Sequence, residues 1–122
     1  PEGWHIPNEN ELDELINFLG GIDLAGVKMK TSSGWDDYIK PLGTKDSWKG
    51  TNESKFSGLP GGIRYSDGTF MFLGSSGSWW STVEIDQSTI LRNYFILYHN
   101  SPLVHGFDSD ISGGMSVRCL KD

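Results

Sequence analysis

The sequence predicts one α+β domain in which helices come first and an antiparallel sheet follows. Three observations carry this expectation. Apolar residues recur with helical spacing only near the start of the chain, strand-like alternation is concentrated in its second half, and 122 residues can build one packed core but not two. Sixteen glycines demand many tight turns, which suits a loop-rich sheet better than a helical bundle.

The first helix follows from Asn8-Glu9-Asn10-Glu11, an N-cap with an acid three residues on, and from Leu12, Leu15, Ile16 and Leu19 at i, i+3, i+4 and i+7. Gly20-Gly21 stops it. Asp23 is expected to cap a shorter second helix bearing Leu24, Val27 and Met29, against the cost of Gly26. From Thr31 to Pro60, glycines and prolines interrupt Trp35, Tyr38, Trp48 and Phe56. So much ring surface predicts an ordered loop pinned by aromatics, not a flexible linker. Asp67-Gly68 between two strand-like runs predicts a hairpin with a two-residue turn, because Gly accepts the positive φ such a turn needs. Strands are then expected at 78–82, 90–99, 103–107 and 114–120. In the long one, Leu91, Phe95 and Leu97 share a face, and Tyr94, Ile96 and Tyr98 share the other. Both faces are apolar, so one covers the core and the other is either covered too or sticky.

Composition excludes several functions. Sixteen acidic against ten basic residues give a net charge of −6, which repels phosphate backbones, and the basic residues are scattered, with only Lys28 and Lys30 close together; no nucleic-acid partner is expected. No apolar run has the length of a bilayer span, so no membrane insertion by this segment is expected, and Pro1-Glu2-Gly3-Trp4 does not open a targeting segment. The chain reads as a single soluble module, 1–122, bounded within something larger.

Signals for chemistry are sparse. One cysteine, Cys119, cannot form an internal disulfide, a redox pair or a cysteine zinc site, and reads as a small buried hydrophobe on a strand. His5, His99 and His105 show no metal-binding spacing, and there is no GxSxG elbow. Asp36-Asp37 reads as solvated loop charge. Asp108-Ser109-Asp110-Ile111-Ser112-Gly113 matches the opening of a calcium loop, yet the twelfth position, where a bidentate Glu belongs, is Cys119, so a polar turn is preferred. No cofactor or metal is expected. Asn52-Glu53-Ser54 is a formal glycosylation sequon.

A longer series of motifs is more specific. Pro1-x-Gly3-Trp4-His5-Ile6-Pro7 leads into the first helix, Thr51-Asn52-Glu53-Ser54-Lys55-Phe56-Ser57-Gly58-Leu59-Pro60-Gly61-Gly62-Ile63-Arg64 follows, then Gly77-Ser78-Trp79-Trp80-Ser81-Thr82-x-Glu84, and finally Gly114-Met115-Ser116-Val117-Arg118-Cys119-Leu120-Lys121-Asp122. Over essentially the whole chain this resembles the Fibrobacter succinogenes major paralogous domain, a family of surface and secreted proteins of Bacteroidetes and Fibrobacteres. The resemblance implies a C-type lectin-like fold with two N-terminal helices, a twisted antiparallel sheet and neighbouring termini, distantly related to formylglycine-generating enzymes. It also implies a cysteine before Pro1 as a disulfide partner for Cys119. The Glu-Pro-Asn, Gln-Pro-Asp and Trp-Asn-Asp triplets of calcium-dependent lectins are absent, and Cys119 alone cannot supply the paired cysteines of the enzymes. Neither activity is expected to be inherited.

Some proteins of this fold are diversified by retroelements that turn AAY codons into NNY, which cannot encode Lys, Gln, Glu, Trp or Met. Those five types number 22 in the chain, yet none occurs from Ser88 to Gly114, an absence expected by chance on the order of 1% of the time or less. Strand composition also disfavours Lys, Glu and Gln. The residues Tyr94, Ile96, Tyr98, Asn100, Ser101, Val104, His105, Phe107 and Asp108 are the candidate binding face, since rings and small polar groups give contact area at low ordering cost. Packing of Ile96 and Phe107 under the 31–60 loop is the competing expectation. The sequence reading is thus a non-catalytic binding or adhesion module for a protein or glycan, extracellular or on a bacterial surface. The alternatives are an accessory or catalytic domain in polysaccharide degradation, with Glu84 and Asp86 as the only candidate acids near a strand end, and a structural domain of a surface or pilus-like assembly.

Overall fold

A computed structural model describes residues 2–38, 48–82, 92–109 and 112–122. Among them the element order is β1 (Trp4–His5), α1 (Glu9–Phe18), α2 (Ile22–Met29), β2 (Ile63–Arg64), β3 (Phe70–Met71), β4 (Ser76–Thr82), β5 (Arg92–Tyr98), β6 (Val104–Ser109) and β7 (Leu120–Lys121). β4, β5 and β6 form an antiparallel three-stranded sheet in that order, while β1 pairs with β7 and β2 with β3. The α+β antiparallel arrangement is therefore the one expected. The two ends of the chain meet: His5 lies opposite Leu120, and Asp122 N–H donates to the Gly3 carbonyl at 3.1 Å.

The first helix starts where its side chains can satisfy its free amides. Asn8 Oδ1 accepts from Glu11 N–H at 3.0 Å, and Glu11 Oε2 accepts from Asn8 N–H at 2.9 Å, a complete capping box. The same Glu11 carboxylate lies 2.9 Å from His5 Nε2, while His5 Nδ1 lies 2.6 Å from Asp122 Oδ1. Hydrogen bonds to Asp122 and then Glu11 hold the His5 pKa above its ordinary value, so one imidazole fastens β1 to both the helix start and β7. Gly20 and Gly21 both have positive φ, ending α1 and starting α2 without a linker. The expected cap at Asp23 is displaced. Gly21 is the N-cap, since its carbonyl already accepts from Leu24 and Ala25 N–H, and as a glycine it offers no side chain to the free amides. Gly26, unfavourable in a helix on propensity, is buried where a Cβ would run into the carbonyls of Pro102 and Leu103. It lets α2 lie directly on the β5–β6 connection.

The sheet buries one side against the helices. Trp79, Phe95, Leu97 and Val104 meet Ile16, Leu19, Ala25 and Met29. Trp79 and Phe95, opposite each other across β4 and β5, stack at 5.3 Å, and Phe56 stands edge-on to both. Ring pairs of this kind add about 0.5–1.5 kcal/mol each beyond area burial. The loop after α2 is pinned as expected over its described parts: Trp35 Nε1 donates to the Gly58 carbonyl at 3.2 Å, and Phe56 and Trp35 both pack on the core. Four expectations need correction. The hairpin turn has three residues, Ser66-Asp67-Gly68, since Tyr65 still pairs with Thr69 and Gly68 N–H returns to the Tyr65 carbonyl. The 114–120 stretch is not one strand: Gly114 bonds to Arg64, Ser116 to the edge of β4, and only Leu120–Lys121 joins β1. Changing partner every two or three residues prevents a continuous ladder. Cys119 accordingly lies half-buried just before β7, at the margin of the core and outside any strand. Finally, β4 begins at Ser76 and β6 ends at Ser109; residues 90 and 91 lie outside the described residues.

Lys30, the residue after α2, is 0% exposed. Its ammonium donates to the carbonyls of Tyr98 at 2.8 Å and Ser101 at 2.9 Å, and lies 5.4 Å from the Trp35 ring. Burial pushes its pKa down to about 8. Between pH 8 and 10 the unfolded chain therefore holds a proton that the folded chain has released, and stability rises with pH. Tyr94 and Tyr98, whose pKa values are raised, oppose this only above about pH 10. Urea unfolding at successive pH values should show a gain on the order of 1 kcal/mol per pH unit in that window. Lys30→Ala should abolish the gain and lower stability at pH 7 by about 2 kcal/mol or more. A flat profile for the parent protein contradicts this.

Candidate binding face

The register of the sheet decides which residues look away from the helices. Trp80 pairs with Tyr94 and Tyr94 with Phe107, so these three rings form one row across β4, β5 and β6. Tyr94 and Phe107 are stacked at 5.6 Å and 25°, and Trp80 stands edge-on to Tyr94 at 6.4 Å. One step along, Tyr98 and His105 meet edge to face at 5.2 Å. Phe107 is 44% exposed, while Trp80, Tyr94, Tyr98 and His105 are half-buried. Partial burial, and secondarily neighbouring phenols, raise the pKa of Tyr94 and Tyr98, so both present neutral hydroxyls at physiological pH. Tyr65, on the β2–β3 hairpin and 41% exposed, is among those neighbours for both.

The sequence-derived residues do not all share this face. Tyr94, Tyr98, His105 and Phe107 do. Ile96 points the same way, between the rings, but is 8% exposed and contributes no contact surface. Asn100 is exposed in the β5–β6 connection, and Ser101 is half-buried there with its carbonyl taken by Lys30 and its hydroxyl accepting from Leu103 N–H. Val104 is placed wrongly by the sequence reading: it pairs with Leu97, points at the helices and is 3% exposed. Asp108 is opposite Asn93, on the strand positions that alternate with the ring row, and lines a cleft of about 310 Å³ beside Glu9 and Asp13. In a pleated strand, adjacent residues face opposite sides, so Val104 and His105, or Phe107 and Asp108, cannot lie on one face. Phe107, 44% exposed, is not sealed under the described parts of the 31–60 loop. Tyr65 and Trp80 were missed; the alternation through Trp79 and Trp80 was a usable signal for the latter, whereas Tyr65 comes from a distant hairpin.

The other chemical candidates resolve as follows. Among the described residues no group of three or more His, Cys, Asp or Glu is arranged to hold a metal ion. Asp110 of the calcium-like segment, and the acid pair Glu84 and Asp86, lie outside the described residues. Asp37 pairs with Lys49 at 3.7 Å, and the Asp36 carbonyl lies 3.3 Å from His99 Nδ1, both at a second cleft of about 260 Å³. The hairpin carries a further apolar ridge, with Phe70 77% and Leu73 81% exposed; within it Phe72 adopts φ 64°, a left-handed conformation rare for a bulky residue. No helix is long and apolar enough to cross a membrane among the described residues.

What this arrangement can do is bind. The row offers flat rings and neutral hydroxyls on a paired sheet, and at its end Ser101 Oγ lies 3.5 Å from His105 Nε2. Over residues 1–121 the chain matches the family model described as Fibrobacter succinogenes major domain. No curated protein and no solved structure matches it.

Proposed function

We propose that the chain, which belongs to the Fibrobacter succinogenes major domain family, is a non-catalytic ligand-binding module of a bacterial surface or secreted protein. It takes a protein or glycan ligand on the aromatic row of its three-stranded sheet, on a scaffold of the C-type lectin type. The observation that carries this reading is the row itself: Trp80, Tyr94 and Phe107 in contact across three strands, on the side of the sheet away from the helices. Rings held in place by their neighbours lose little conformational freedom when a partner covers them, and tyrosine adds a hydrogen-bonding tip to an apolar body. Such a surface stacks on sugar faces and packs on protein side chains alike.

The depletion of Lys, Gln, Glu, Trp and Met from Ser88 to Gly114 falls on the two strands that supply Tyr94, Tyr98, His105 and Phe107. Diversification by a retroelement would vary the ligand while the inward residues Phe95, Leu97 and Val104 kept the core. At the gene, this requires a near-identical template repeat with adenines at the outward codons beside a reverse transcriptase; a locus without either removes it.

Binding is tested by capture on glycan and surface-protein arrays. The parent domain should select a ligand, and a Tyr94→Ala/Tyr98→Ala variant should lose at least about tenfold in affinity, the scale expected for removing central aromatic contacts. The Tyr98 carbonyl that accepts from Lys30 is retained in that variant, so its thermal unfolding should stay cooperative. Unchanged capture by a folded variant moves the site elsewhere.

A further inference from the structure

Between the inward side of α1 and the approach to β7 lies an apolar cavity of about 170 Å³, lined by Leu12, Leu15, Phe56, Phe95 and Cys119. Two charged side chains reach it, Glu11 and Arg118, and they are not equivalent. The Glu11 carboxylate is committed, accepting from Asn8 N–H and facing His5 Nε2 with both oxygens. These bonds, the backbone one first, hold its pKa below the ordinary value. Arg118 is exposed, lies with Cζ 5.1 Å over the Phe56 ring, and has no carboxylate partner among the described residues. The cation–π contact with Phe56 holds the guanidinium at the cavity while leaving N–H groups for another acceptor.

We propose that this cavity binds a small aromatic monocarboxylate, its ring among Leu12, Leu15, Phe56 and Phe95 and its carboxylate on Arg118. Size limits the ring: an apolar protein cavity of roughly 150 Å³ stays dry and accepts benzene, so 170 Å³ holds one ring and a methylene but not two rings. Charge selects the head group. A carboxylate gains paired, charge-assisted hydrogen bonds from the guanidinium, and a neutral alcohol of the same shape forgoes them. The site is independent of the aromatic row, with which it shares Trp80 alone.

Phenylacetate and its neutral counterpart 2-phenylethanol provide the test, titrated into the folded domain while the methyl resonances of Leu12 and Leu15 are followed by NMR. Phenylacetate should shift those methyls in a saturable way and bind at least about tenfold more tightly than the alcohol, the size expected of a charge-assisted pair. Arg118→Gln, an exposed substitution, should bring the two affinities within about twofold of each other while leaving the alcohol's unchanged. Equal affinities in the parent protein, shifts confined to residues away from the cavity, or an unchanged preference in the Arg118→Gln protein would each overturn the proposal.

Discussion

Lys30 stands at the end of α2 with no exposure to solvent, and its ammonium donates to the carbonyls of Tyr98 and Ser101 at the turn that joins β5 to β6. Burying a cation with no carboxylate partner among the described residues is costly, and the depressed pKa records that cost. The two carbonyls and the Trp35 ring offset part of it. In return the contact fixes three things at once: the second helix on the sheet, the 31–38 segment over the helix end through Trp35, and the phase of β5 and β6. Phase matters because side chains alternate along a strand. With the Tyr98 carbonyl held, Phe95 and Leu97 point to the helices, and Tyr94 and Tyr98 point away.

The stability of the domain therefore resides on the inner face. Trp79, Phe95 and Phe56 interlock there, Val104 closes the layer, and Gly26 permits the helix to approach. The outer rings are positioned by the same strands without filling the core. That separation gives the row freedom to change chemically while the scaffold persists. On that same side Ile96, opposite Ser78 and His105, is well buried while the rings around it are half-buried or exposed.

Much of this could be read from the chain alone wherever a local rule applied. The Asn8 to Glu11 spacing led directly to the capping box, the double glycine to the break between helices, and alternation over 94–98 to two faces. What failed depended on distant partners. The phase of β6 relative to β5 cannot be obtained from one strand, so Val104 and Asp108 were grouped with residues that face the other way. The 114–120 stretch has strand-like composition, but its bonding passes from Arg64 to β4 to β1. In the sequence Lys30 stands out only for its nearness to Lys28; the turn 68 residues later shows why it is buried. Tyr65, whose phenol acts on Tyr94 and Tyr98, comes from a hairpin, beyond any periodicity argument.

Phe107 and Phe95 provide a matched pair for the central claim, being the same residue type on adjacent strands and opposite faces, 44% and 5% exposed. Hydroxyl-radical footprinting of the native domain, read residue by residue by mass spectrometry, compares them directly. The account predicts oxidation of Phe107 in rough proportion to its exposure, with Phe95 protected until the protein unfolds. Protection of both rings in the native state would mean that the outer face is covered, and the binding row would not exist as a surface.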